Sequence, residues 1–459
     1  MNIVIRISRR ALVATMLSAI LTIPRLSYAD NVASEWVEAD SAAAIKARLL
    51  SDFSLTFDEA VAGIAKKYGE DVASHTREFA DKHYIETMVI DGVERVHRKS
   101  LSNLALLNPA MNNGWSNRGS QASDERIGQA RSVYERTVGD GKTCSTGNPQ
   151  GLARKIRYRF TIDVPYMDAL KDDTLRVWMP VPFESPRQGD IKILSVSQPD
   201  YIISGHDRSV HNTMFMQQPV TEGKDTHFGY EIEYTAYGQY FAPDFILANI
   251  KDYDKTSELY QKYTALEAPH IVRLDSLAKA IVGNETNPFR QSELVYDWIV
   301  SRYPWAGARE YSTLGCIPEY VLAEGHGDCG QVTLLYISLM RTLGVPARWE
   351  SGWTTDTGRE NLHDWAETYY EGVGWVPVDT SYGRMTGLNE KNLRDYWSTG
   401  LDVYRMASNK GVCGELFPKK RFVRSETVDF QMGEVECSKG NLFYPAWTKS
   451  FQVLDESIK

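Results

Sequence analysis

Apolar residues recur along this chain in two rhythms, one of period three to four and one of period two. Between Leu55 and Tyr68, Phe57, Val61, Ile64 and Ala65 fall at helical spacing, so an amphipathic helix is expected there. Tyr84–Ile90, Asp91-Gly92 and Val93–His97 read as a hairpin, because Asp-Gly suits the two positive-φ positions of a type I′ turn. Residues 112–150 are rich in Asn, Gly and Ser and read as surface loop or linker. From Lys155 the period becomes two. Ile156, Tyr158, Phe160, Ile162 and Val164 alternate with Arg157, Arg159, Thr161 and Asp163, the pattern of a strand with one wet face. Leu175–Met179, Ile191–Val196 and Phe228–Ala236 repeat that pattern between turn-forming stretches, which predicts a β-sandwich over 151–245.

After Asp252 the helical rhythm returns. Ile271, Leu274, Ala278 and Ile281 share one face, and Leu294, Val295, Trp298 and Ile299 another. The last stretch, 401–459, goes back to strand-like alternation around Phe422–Val428 and Val435. The expected organisation is therefore α+β: a helical and hairpin region with its linker over 30–150, the sandwich, a mixed core over 250–400, and a strand-rich extension over 401–459. No repeat at solenoid or propeller period is visible.

Charge narrows the function classes. The chain has 51 Lys and Arg against 60 Asp and Glu, a formal net charge of −9, and no basic run. A nucleic-acid binder needs a cationic face to release counterions, so that class is excluded. At the amino terminus Arg6, Arg9 and Arg10 precede an apolar run, Ala11–Ile23, too short for the ~18–20 residues of a spanning helix. Ser27-Tyr28-Ala29 ends in small residues, so residues 1–29 read as a signal peptide that sends the protein out of the cytoplasm, to the periplasm or beyond. No membrane span is expected in the mature chain. There are five cysteines, at 144, 316, 329, 413 and 437. In an oxidising compartment an odd number leaves at least one thiol unpaired.

One thiol stands out by its surroundings. Gly325-His326-Gly327-Asp328-Cys329-Gly330-Gln331 is a loop that opens a helix, in which Val332, Leu335, Tyr336, Leu339, Met340 and Leu343 keep helical spacing. Leu334 and Ile337 make most of its circumference apolar, so the helix is central and buried. Gly344 and Pro346 end it. Asp328 is a natural N-cap, which puts Cys329 in the first turn, where free N–H groups and the helix dipole favour an anion. That location is expected to lower the thiol pKa and to offer donors to an oxyanion. Ala347–Trp353, Leu362–Tyr370 and Trp375–Thr380 follow as strands. A turn centred on Glu371 would set His363 opposite Asp379, a carboxylate that can fix the tautomer of the imidazole and steady its charged form. Thiol, imidazole and acid then form a nucleophilic triad by role.

In this stretch the sequence resembles the transglutaminase-like superfamily. The blocks that carry the resemblance are Gly327-Asp328-Cys329-Gly330, Leu343-Gly344-Val345-Pro346-Ala347-Arg348, Ser351-Gly352-Trp353, His363-Asp364-Trp365-Ala366-Glu367 and Gly374-Trp375-Val376-Pro377-Val378-Asp379. The resemblance covers Ser292–Tyr382 and implies a papain-like α+β core, with Cys329 as nucleophile, His363 as base and Asp379 as its orienter. The β-domain before it and the tail Leu401-Asp402-Val403-Tyr404-Arg405 look like those of secreted bacterial members.

Simpler readings compete at each position. Cys329 could be a structural thiol, His363 a satisfied core histidine, and Asp379 the closing residue of a turn with Thr380 and Ser381. His326 reads as loop or substrate-side. A zinc site of His326, Cys329 and His363 lacks a second closely spaced ligand pair, so no metal and no cofactor is expected. Trp305 or Tyr311 could supply an oxyanion donor, Trp353 and Trp365 could wall a cleft, and Asp402 with Arg405 reads as an ion pair. With Cys329 free, Cys144, Cys316, Cys413 and Cys437 allow three disulfide pairings. Three functions follow: a thiol amide hydrolase acting on a peptide or protein, a cross-linking glutamine acyltransferase using the same triad, and a non-catalytic glycan- or peptide-binding protein. No EF-hand-type acidic loop is present, and hydrolysis is preferred.

Overall fold

The computed structural model describes residues 42–108, 152–387 and 390–458, together with positions 111, 128, 131–132 and 134–137. The expected signal peptide and Cys144 lie outside the described residues. The amino-terminal part begins with α1 (Ala42–Asp52), β1 (Leu55–Thr56) and α2 (Phe57–Tyr68). A capping box of Thr56 and Glu59 starts α2, satisfying donors that the first turn would otherwise leave open. The hairpin strands β2 (Thr87–Ile90) and β3 (Val93–Val96) meet at Asp91 and Gly92, with φ of 52° and 76°, as the turn chemistry requires. Helix α3 (Ser100–Leu107) closes this unit.

Two antiparallel sheets then face each other. Their strands are β4 (Ala153–Val164), β5 (Thr174–Pro180), β6 (Gln188–Val196), β7 (Tyr201–Ser204), β8 (Thr213–Pro219) and β9 (Thr226–Tyr237). Along β4, Ile156, Tyr158, Phe160 and Ile162 are wholly buried while Lys155, Arg157 and Arg159 face water, which is the alternation read from sequence. The stretch 401–459 is not a separate layer. Its strands β16 (Glu434–Glu436), β17 (Asn441–Leu442) and β18 (Thr448–Ile458) complete both sheets, in the orders β17-β16-β5-β8-β7 and β18-β4-β9-β6. The strand expected over Phe422–Val428 does not form. The backbone N–H groups of Arg421, Phe422, Ser425 and Glu426 donate instead to the carboxylates of Glu434 and Glu436, so they have no need of a ladder.

Between these sheets in sequence lies a mixed helix and sheet core. Helices α4 (Asp275–Val282) and α5 (Pro288–Arg302) pack on α6 (Cys329–Thr342), whose residues 330–340 are all buried. Helix α6 lies on a sheet of β11 (Ala347–Thr354), β12 (Asn361–Tyr370), β13 (Gly374–Val378) and β15 (Arg405–Asn409), in the order β13-β12-β11-β15. The short strands β10 (Gln239–Tyr240) and β14 (Gly400–Leu401) pair separately, and α7 (Thr380–Gly387) follows β13. Among the described residues no helix is long and apolar enough to cross a membrane.

Candidate active site

Helix α6 starts where its sequence says it should. The Asp328 carboxylate accepts from Gln331 N–H at 3.1 Å, and the Asp328 N–H donates to Gln331 Oε1 at 3.1 Å, a reciprocal cap that fixes Cys329 at the first helical position. Ahead of it, Gly327 pairs with Trp305 in a parallel bridge. The amino-terminal unit grips that same segment: Asn103 exchanges two hydrogen bonds with Gly307, at 2.8 and 3.1 Å, and the Asp52 carboxylate accepts from Glu310 N–H. Tyr311 is engaged, its hydroxyl donating to Asp328 Oδ1. Trp305 lines a cavity beside Gly327 and Val332.

Strand β12 carries the imidazole and a carboxylate on successive residues, and period two sends them to opposite faces. His363 Nε2 meets Asp379 Oδ2 at 2.7 Å. Register differs by two residues from the expected one: β12 and β13 pair Tyr370 with Gly374, around a turn in which Gly372 has φ 83°. His363 and Asp379 are thus diagonal neighbours rather than direct ones, but they keep the same face. Asp379 is held further by Arg405 Nη1 at 3.0 Å and by the Tyr382 N–H at 2.8 Å. Arg405 also pairs with Asp402 at 3.1 Å, as expected, and its guanidinium sits 4.0 Å from the Tyr382 ring centre. Burial pushes Asp379 up, yet His363 and Arg405 hold it below the usual carboxylate range. Burial dominates at His363 and lowers its pKa against the pull of Asp379.

Asp364 points the other way, toward α6. Cys329 Sγ donates to Asp364 Oδ2 at 3.2 Å, and no hydrogen bond joins Cys329 to His363 among the described residues. Gln431 Nε2 donates to Asp364 Oδ1 at 2.8 Å, and Asp429, beside it, accepts from Ser351 at 2.7 Å. This corrects the expected acidity of the thiol. Burial first, then the Asp364 and Asp328 carboxylates, push the Cys329 thiol well above its ordinary value, so the helix start is outweighed. Burial and Asp429 raise Asp364 likewise. Cys329 itself is half-buried.

The structure therefore brings His363 and Asp379 together and gives Cys329 a different partner. Sequence reasoning missed Asp364 as that partner, although strand alternation carried the signal that 363 and 364 diverge. It also missed Arg405 as a support for Asp379, and Asp429 and Gln431, which lie in the tail with no local pattern to mark them. The other candidates are structural. Trp353 stacks on Phe451 of the sandwich, ring centres 4.7 Å apart, and the Trp365 indole donates to Glu350 at 2.8 Å. His326 is buried against Tyr320, and burial brings it down to about 4. No cluster able to hold a metal occurs among the described residues. Cys413 and Cys437 are thiols, not disulfide partners.

Residues 275–380 match the model of the transglutaminase-like superfamily. An uncharacterised protein of Haemophilus influenzae is 30% identical over 217 residues, 39% of this chain and 58% of that protein. The uncharacterised protein YebA of Bacillus subtilis is 24% identical over 155 residues, 28% of this chain and 20% of that protein. The chain thus spans under two thirds of the length of both relatives. Among solved structures, a candidate cysteine protease from Cytophaga hutchinsonii is 15% identical, covering 66% of this chain and 91% of that one with a TM-score of 0.44. The periplasmic domain of TgpA from Pseudomonas aeruginosa is 14% identical, covering 57% and 96% with a TM-score of 0.28.

Proposed function

We propose that this chain, transglutaminase-like over 275–380, is an extracytoplasmic thiol hydrolase of amide bonds in peptides or proteins. The observation that carries the reading is the buried pair of His363 and Asp379 at 2.7 Å, in the same matched region as a thiol capped at the start of a helix. In this mechanism His363 takes the proton of Cys329, helped by Asp379, whose charge steadies the imidazolium. The thiolate attacks the amide carbonyl, His363 returns the proton to the departing amine, and water then cleaves the acyl-thioester. The hydrogen bond from Cys329 to Asp364 must break first and the thiol must move to the His363 side of β12, so the arrangement described is a resting one.

Hydrolysis is preferred to transfer to a lysine amine because the sequence carries no EF-hand-type acidic loop. A second reading of the base rests on the 3.2 Å contact of Cys329 with Asp364, which would let that carboxylate take the proton directly. Iodoacetamide labelling, read residue by residue in the native protein, tests the nucleophile. Cys329 is expected to label only as its proton leaves Asp364, faster as pH rises, and Cys329→Ala to fold and lose all turnover. An inert Cys329 in an active protein would overturn the mechanism. Incubation with a glutamine peptide and a labelled primary amine separates the acceptors: ammonia or fragment release without incorporation supports the hydrolase, and incorporation replaces it.

A further inference from the structure

Lys420 is a buried amine that the thiol mechanism does not use. It lies in the tail between β15 and β16, closed off from water together with Asn441 of β17 and with Glu434 and Glu436 of β16. A buried ammonium ordinarily closes on an acid. Here the short contact goes to a carboxamide. Nζ donates to Asn441 Oδ1 at 2.7 Å, while Oε2 of Glu434 and Oε2 of Glu436 stand 3.6 and 3.7 Å away. The Trp178 ring, its centre 4.9 Å from Nζ, covers the same spot.

The two acids differ in their other partners. Glu436 is held by Arg176 and by the N–H groups of Arg421 and Phe422. Glu434 has Lys420 as its one paired cation among the described residues. Ser425 links this acid to the amide nitrogen: Asn441 Nδ2 donates to the Ser425 hydroxyl at 3.0 Å, and the Ser425 N–H donates to Glu434 at 2.8 Å. Burial lowers the pKa of Lys420 against the pull of Glu434 and Glu436, which brings the neutral amine within reach. Lys279 and Asn284 make the same contact at 3.1 Å, but in water and, among the described residues, with no carboxylate paired to the lysine. Only the buried pair joins amine, carboxamide and acid.

We propose that Lys420 and Asn441 join in an isopeptide bond that the folded chain makes for itself, with Glu434 as proton carrier and ammonia as leaving group. Glu434 takes a proton from the Lys420 ammonium and leaves a neutral amine. The Nζ lone pair then attacks Cγ of Asn441, one bond behind Oδ1, and the Nζ–Cγ bond forms. Glu434 moves a proton from Nζ to Nδ2, and the Cγ–Nδ2 bond breaks. Ammonia leaves and takes up the remaining proton as ammonium. One amide C–N bond replaces another, so the step needs no oxidant, reductant or co-reactant. The bond closes a ring over residues 420–441. That ring holds Asp429 and Gln431, the tail residues that reach Asp364. A covalent closure restricts the unfolded tail and so keeps both seated beside the candidate site. The inference stands apart from the thiol-hydrolase reading.

Tryptic digestion of the wild-type protein, followed by mass spectrometry, tests it. The expected product is a branched peptide that joins Lys420-Arg421 to Gly440–Lys449, lighter than its two parts by about 17 Da for the lost ammonia. Linear Gly440–Lys449 with unmodified Asn441, alongside complete cleavage after Lys420, overturns the inference. Glu434→Gln should give those linear peptides, and a branch that persists there overturns the assignment of the proton carrier. Cys329→Ala should keep the branch. Its loss in that variant would assign the bond to the thiol and overturn self-formation. Lys279 and Asn284 should stay unlinked, and a branch between them as well would overturn burial and the acid as its cause.

Discussion

The two faces of β12 treat buried carboxylates in opposite ways. On the His363 face, each acid meets a cation: Asp379 has Arg405 beside the His363 imidazole, and Glu367 has Arg348 and Arg187. Burial alone would raise Glu367, but the two guanidiniums bring it down to about 2. On the Asp364 face the neighbours are two more carboxylates, a thiol and the neutral donors of Gln431 and Ser351. There burial and like charge push Asp364 well up, so this face balances charge with protons. One face is built to keep an ion pair and the other to hold a proton. Cys329 currently touches the second.

Exchanging the roles of the faces is the strongest test. His363→Ala is expected to lower turnover by roughly 10²–10⁴-fold, against about ten-fold for Asp364→Asn. The reverse order, measured as kcat/KM on a cleaved peptide, would make Asp364 the base. Arg405→Met should cost about 3–5 kcal/mol in chemical denaturation, because it strands Asp379 and Asp402 without a cation. A loss under 1 kcal/mol would mean that His363 alone suffices.

Asp364→Asn removes a carboxyl group whose ionisation competes with that of the sulfur, so the thiolate becomes easier to form. The pH midpoint of Cys329 labelling should fall by about one unit, roughly ten-fold faster labelling at a fixed pH below both midpoints. Stability follows the same group. The folded chain keeps the Asp364 proton to higher pH than the unfolded chain, which ionises near the ordinary carboxylate value. Rising pH therefore drains stability from the wild type and not from the variant. The Tm of Asp364→Asn relative to wild type should climb from pH 5 upward, and a flat difference would refute the assigned protonation. The smallest effect belongs far from β12. Thr56→Ala breaks the capping box of α2 and should cost about 1 kcal/mol with no change in Cys329 labelling. A change in labelling would tie the amino-terminal unit to the thiol through its grip on residues 307–310.

Local chemistry was legible because it is encoded locally. Asp328 and Gln331 specify the start of α6, Asp91-Gly92 the hairpin, and the alternation of β4 its buried face. The pairing of His363 with Asp379 was readable too, since a short turn joins their strands and a shift of register kept their parity. By contrast, Phe422–Val428 has the composition of a strand, but carboxylates from β16 claim its N–H groups.

Sequence alone thus determined which residues are apolar, where helices begin, and which two side chains share a strand face. Only the tertiary structure decided that α6 lies over Asp364 rather than His363, and that Asp429 and Gln431 return from the tail to that spot. The physical reason is that periodicity says a side chain will be buried but not what it will be buried against. The charge state of a thiol or a carboxylate depends on those neighbours, and they arrive from distant parts of the chain.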